Sequence, residues 1–116
     1  MNWVEKALER RKLINLMRSP RTLKGFYSNN GIPHETVKLQ IALILSKQGF
    51  EVYPECEFKN GSRSDLVAIR GHIGYCIEIL DSEKESSCNQ KVKAYPSDLT
   101  LVKVKVNDFN YKEWCI

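Results

Sequence analysis

Gly61-Ser62-Arg63-Ser64-Asp65-Leu66-Val67-Ala68-Ile69 and, just beyond, Tyr75-Cys76-Ile77-Glu78-Ile79-Leu80 are the stretch that decides how this chain folds. Both halves are apolar runs of strand length, and each carries one acid where an acid is out of place. Asp65 opens its run and Glu78 interrupts its own. Gly71-His72 makes a tight turn between them, so the two runs read as a hairpin. Folding back about Gly71 brings the two carboxylates onto nearby rungs. Carboxylates that close repel one another unless a cation lies between them. An isolated buried carboxylate otherwise neutralises, pairs or binds metal.

Upstream, residues 50–59 alternate, with Val52, Pro54, Cys56 and Phe58 facing one way and Tyr53, Glu55, Glu57 and Lys59 the other. Asn60-Gly61 is a hairpin signal that joins this strand to the next. Before it, a helix starts near Pro33-His34-Glu35 and runs to about Gln48, with Gly49 as its stop. Residues 41–45 are apolar on nearly every face, so this helix is expected to be well buried. Trp3, Val4, Ala7, Leu8, Leu13, Ile14 and Met17 mark a further amphipathic helix over roughly 2–18, ended by Ser19-Pro20. Residues 19–33 hold Pro20, Gly25, Asn29, Asn30, Gly31 and Pro33, the composition of a linker. Downstream, polar residues 82–94 read as a helix stopped by Tyr95-Pro96, residues 99–106 as a last strand, and residues 107–116 as a tail closing in a short helix.

The expected architecture is therefore α/β: a mixed four-stranded sheet flanked by helices in the order α-βββ-α-β, with an extra N-terminal helix. The crossover helix allows the third and fourth strands to pair in parallel. Residues 1–32 form a basic helix and linker and residues 33–116 the core, a single domain overall. At 116 residues the chain has the length of one domain, and 42% hydrophobic residues suffice for a real core. No apolar run is long enough to span a membrane, and the N-terminus lacks the apolar region of a signal peptide, so a cytoplasmic location without a membrane partner is expected. Cys56, Cys76, Cys88 and Cys115 form no C-x-x-C pair, which argues against structural zinc and for buried thiols. Net charge is +4, but residues 1–24 hold seven basic side chains against two acidic ones. Such an arm suits a polyanionic partner, although a solvated helix face explains it equally well.

Mg²⁺ prefers oxygen ligands and keeps several waters, so two protein carboxylates and a phosphate oxygen suit it. Its work would be to polarise the phosphate and orient a water. With Glu35 on the preceding helix, the quoted stretch resembles the core of the PD-(D/E)XK nuclease superfamily, which includes restriction enzymes and archaeal Holliday-junction resolvases. The likeness covers about residues 33–106. It implies a restriction-endonuclease-like core and a Mg²⁺- or Mn²⁺-dependent DNA endonuclease, with Asp65, Glu78 and Glu35 as metal ligands. The family's lysine should fall at position 80, which is Leu80. Some members carry the basic residue on a neighbouring helix, and Lys91 is the residue expected to serve, with Lys93 second. Ser64 stands where the family has proline. Arg63, Arg21 and Lys24 are the expected phosphate contacts. By analogy at the level of the fold, a second copy of the chain would serve the second strand.

Simpler readings stand beside these. Asp65 can cap the turn after Asn60-Gly61, Glu78 can pair with Arg63 or a lysine, and Glu35 can answer the helix dipole. His34 and His72 lie beside turns and read as bland, Asp81 and Glu83 as solvated acids, with Asp81 near enough for an extra ligand, and Trp3 and Trp114 as packing residues. Leu80 motivates a rival function, a nuclease fold without catalysis that binds nucleic acid or a protein. A transcription factor using the basic first helix is disfavoured, because that helix has no helix-turn-helix partner.

Overall fold

The computed structural model describes residue 26, residues 30–81, residue 93 and residues 95–116. Helix α1 (Ile32–Lys47) is followed by the strands β1 (Glu51–Glu57), β2 (Arg63–Arg70), β3 (Ile73–Leu80) and β4 (Thr100–Lys105), and then by a 3₁₀ turn, Val106–Asp108. The helix expected over residues 2–18, the crossover helix expected over residues 82–94, and Lys91, Arg21 and Lys24 with them, fall outside the described residues; Lys93 is described, in a turn.

Helix α1 begins at Pro33 in the first turn with Glu35 behind it, as its sequence implies. It ends in a Schellman arrangement. Phe50 N–H donates to Leu45 O at 3.0 Å and Gly49 N–H to Ser46 O at 3.1 Å, with Gly49 at φ 91. Leu45 and Phe50 pack together in the core, which fixes the angle at which the chain leaves the helix. Arg70 adds a tie from β2, stacking over the Phe50 ring at 4.5 Å and donating to Gln48 O at 2.8 Å.

The sheet order is β1-β2-β3-β4. β1 and β2 are antiparallel, β2 and β3 antiparallel, and β3 and β4 parallel, so the sheet is mixed as expected. The first hairpin closes on the pair Phe58 and Ser62, with Phe58 N–H donating to Ser62 O at 2.8 Å and Gly61 at φ 90. This is a three-residue loop, and Asn60 stabilises it by accepting from Ser62 N at 3.0 Å.

Two cores flank the sheet. Val37, Ile41 and Leu45 of α1 cover Leu66, Ala68, Ile77 and Ile79 on one face, with Phe109 and Trp114 of the tail packed at the margin. Phe58, Val67, Ile69, Cys76 and Leu99 form the other, with Tyr53 and Tyr95 alongside. β2 and β3 are thus buried on both sides, which is why their sequences read as unbroken apolar runs.

Two expectations are corrected. Helix α1 is buried on one face only: Leu43 is 61% exposed, and Ile32 and Leu39 are also open. The alternation along β1 also changes hand. Val52 packs under α1, but Cys56 and Phe58 join the opposite core. Between them Glu55 adopts φ 47, a left-handed conformation that breaks the two-residue repeat. The tail makes a 3₁₀ turn at Val106–Asp108 and further turns, with no longer helix.

Ile41→Ala is expected to lower the free energy of unfolding by about 2–5 kcal/mol, because it empties a fully buried site beneath α1. Leu43→Ala, one turn face away, should stay within about 0.5 kcal/mol. Urea titrations of both variants check the pair, and equal losses would contradict this burial.

Candidate functional site

The carboxylates gather where the β2–β3 ladder stops. That ladder runs from Arg70↔Ile73 to Leu66↔Ile77. On the next rung Asp65 uses its side chain in place of the main chain: Oδ2 accepts the N–H of Ile79 at 2.8 Å. Glu78 precedes Ile79 on the adjacent strand and is among the groups that lower the Asp65 pKa. Asp65 does not cap the preceding turn, a task that Asn60 performs.

Glu78 is fully buried in the middle of β3. Tyr95, which follows the crossover, brings its hydroxyl to 2.5 Å from Glu78 Oε1 and to 2.5 Å from Arg63 O. Tyr95 thereby ties β3 to the first residue of β2. Burial, and then the neighbouring Glu78 carboxylate, push its phenol well above the usual range. In the β3–β4 register Glu78 lies beside Lys103. The Arg63 side chain is exposed, next to this cluster.

Helix α1 presents its first turn to the same end of the sheet. His34 spans the gap with its two ring nitrogens: Nδ1 is 3.1 Å from Glu35 Oε2 and Nε2 is 3.5 Å from Asp65 Oδ2. The hydrogen bond to Asp65, helped by Glu35 and outweighing burial, raises the His34 pKa from 6.5 to about 9. The ring is therefore an imidazolium at neutral pH, held between two acids. Asp65 responds in the opposite direction. Burial pushes its carboxyl up, but His34, the Ile79 N–H and Glu78 together hold it below the ordinary value.

Lys38, one turn further along α1, is fully buried. Its Nζ lies 3.2 Å from Glu35, 3.7 Å from Glu55 Oε1 and 5.0 Å from the centre of the Phe26 ring. Glu55 comes from β1, between the paired residues Pro54↔Leu66 and Cys56↔Ser64. Burial raises its pKa against the pull of Lys38, and the charges of Asp65 and Glu35 raise it further. Asn30 donates to both Glu35 and Glu55, at 3.1 and 3.4 Å. The left-handed backbone of Glu55 is what turns this side chain toward the helix end, and strain of that kind collects at functional sites.

The structure thus brings Asp65, Glu78 and Glu35 to one end of the sheet, with His34 between Glu35 and Asp65. Glu55, Lys38, His34 and Tyr95 join them without having been singled out as site residues from the sequence. Leu80 is buried, and Asp81 is exposed at the end of β3, beside Gly31. Cys56 and Cys76 are free, buried thiols whose pKa values burial raises to about 12, which makes them poor nucleophiles. Among the described residues, no three His, Cys, Asp or Glu side chains are grouped closely enough to hold a metal ion in this arrangement, and no helix is long and apolar enough to cross a membrane.

In metal-free buffer His34 should make stability depend on pH. Its folded-state pKa is raised, so the stabilisation is full below pH 6.5 and is lost as pH climbs through about 9. Against His34→Gln, the wild type should lose roughly 1–2 kcal/mol across that window once solvent screening is allowed for. Parallel urea-melt curves for the two proteins from pH 6 to 9.5 would contradict the assignment.

Comparison with known proteins gave no matching family model, no matching curated protein and no matching solved structure.

Proposed function

We propose that this chain is a divalent-metal-dependent DNA endonuclease built on a restriction-endonuclease-like core. The observation that carries the reading is the placing of two buried acids on adjacent strands, Asp65 hydrogen-bonded to the N–H of Ile79 and Glu78 next to Ile79 in β3, at the sheet end that receives the first turn of α1 and Glu35. Burying two acids at the end of an apolar sheet is costly. Oxygen donors of this kind fit Mg²⁺ or Mn²⁺, and the mutual repulsion felt by Glu55, Asp65 and Glu35 favours an added cation. Asp65, Glu78 and Glu35 would hold the ion, the His34 imidazolium giving way on the Glu35 side. When bound, such an ion polarises a phosphate and lowers the pKa of a coordinated water.

The chain's own residues prepare the rest. Ile79 N–H and Tyr95 fix Asp65 and Glu78 in place, so little ordering remains when substrate arrives. Arg63, exposed beside Asp65, meets the phosphate backbone without reading bases, and the basic residues Arg21 and Lys24 extend that contact. In the reaction water oxygen bonds to phosphorus, one P–O ester bond breaks, and the departing oxygen takes a proton. Lys91 remains a candidate to assist the water. Two copies of the chain would cut two strands.

Asp65→Ala and Glu78→Ala should each abolish cleavage of linear and branched DNA in Mg²⁺, a loss of at least about 10³-fold. Binding to the same DNA in Ca²⁺ should change by less than threefold. Wild-type cutting by either variant would reject the proposal. The buried Leu80 favours one second reading, a nuclease fold that only binds nucleic acid or protein. Calorimetric titration separates the two: Mn²⁺ binding that needs Asp65 supports the enzyme, and no binding up to about 10 mM supports the inert scaffold.

A further inference from the structure

Lysine is among the residues least often found fully buried, because its ammonium is strongly hydrated and costly to strip of water. Lys38 has no exposed surface at all, although it lies on a helix whose outer face is open to solvent. The helix turns it inward, to the end of the sheet where the acids collect. Its Nζ stands 3.2 Å from both Glu35 oxygens and 3.7 Å from Glu55. A buried cation of this kind is stable only with compensating charge, and two carboxylates supply it.

The arrangement is directional. Lys38 grips Glu35 from one side, and the same carboxylate holds His34 Nδ1 at 3.1 Å from the other. Across that ring lies Asp65. A free glutamate in a first helical turn has several rotamers open to it. Glu35 between Lys38, Asn30 and His34 has its carboxylate aimed at the Asp65 side of the helix end.

We infer that Lys38 is a positioning residue. It fixes the Glu35 carboxylate toward the Asp65–Glu78 pair and brings a positive charge to this end of the sheet from the helix. The inference rests on the nuclease reading for its consequence, since Glu35 is a proposed ligand there. Partners that orient ligands typically matter by about 10- to 100-fold in metal affinity or activity when removed.

The test uses Lys38→Met, which keeps the unbranched stem and removes the ammonium. A role confined to packing would be met by methionine. In the full-length chain the melting temperature verifies folding, and DNA affinity in Ca²⁺ should match the wild type. The kcat for DNA cleavage should fall by about 10- to 100-fold with KM unchanged. In the metal-free protein at fixed pH, the ¹⁵N resonance of His34 Nδ1 should move, because Glu35 is released. Should Lys38→Met fail to fold, the double variant K38M/E55Q removes a facing charge with the lysine and is read in the same way. A folded variant with kcat within threefold of wild type and an unmoved His34 resonance would overturn the inference. Asp65→Ala serves as the reference: if it is inactive while K38M cuts normally, only the role of Lys38 falls. If Asp65→Ala itself cuts normally, the nuclease reading falls.

Discussion

One substitution of side chain for main chain organises this molecule: the Asp65 carboxylate takes the Ile79 N–H where the β2–β3 ladder ends. A side-chain acceptor closes the ladder without an orphaned donor, and the same Oδ2 lies 3.5 Å from His34 Nε2. The strands stay locked by hydrogen bonds up to that rung, and variety begins beyond it. Because β3 is paired on both sides, antiparallel to β2 and parallel to β4, Glu78 stands on rigid backbone. A constellation held on strands keeps its geometry better than one on loops.

Gathering two buried and two half-buried carboxylates near one another has to be offset, and each compensating group comes from a different place. The first turn of α1 points its partial positive charge at the cluster. His34 contributes an imidazolium, Lys38 an ammonium, Ile79 a main-chain N–H and Tyr95 a hydroxyl. Glu55 is only partly compensated: burial raises its pKa, Lys38 opposes it, and the charges of Asp65 and Glu35 raise it further. It is also the residue with left-handed backbone. Electrostatic and conformational strain thus coincide at one position of β1, which suggests that the edge strand adapts so that β2 and β3 need not.

Much of this was legible in the sequence, because it depends on local pattern. The order of helix and strands follows from periodicity and from turn residues such as Gly49 and Asn60-Gly61. The meeting of Asp65 with Glu78 follows from a tight turn halfway between them, since strand geometry then dictates the register. What escaped depends on long-range placement. Lys38 looks like any solvated helix lysine until the end of the sheet is known to lie beneath it. Glu55 occupies an outward position in a regular alternation, and only its own backbone, which no residue type at 55 signals, turns it inward. His34 seemed incidental beside Pro33, and Tyr95 reads as a helix stop. One clue was present: Tyr95 is an aromatic with a polar handle just after the crossover, and such residues seek a partner when buried.

The same comparison separates the acids from the bases. An acid inside an apolar strand violates the expected pattern, and the violation is visible in one dimension. A lysine on an amphipathic helix violates nothing until its face is assigned, and α1 is nearly evenly apolar around its circumference, so its sequence does not say which face is inner. With Leu39 and Leu43 open to solvent and Lys38 buried, the helix is oriented against simple hydrophobic ranking. Val37, Ile41 and Leu45 would be equally well covered by a helix carrying an apolar residue at 38, so packing alone gives no reason for an ammonium there. The charge of the cluster does give one: it offsets the cost of desolvating a cation at that position. In this fold the acids at the sheet end and the basic residue on the helix account for one another, and neither is explained by the core.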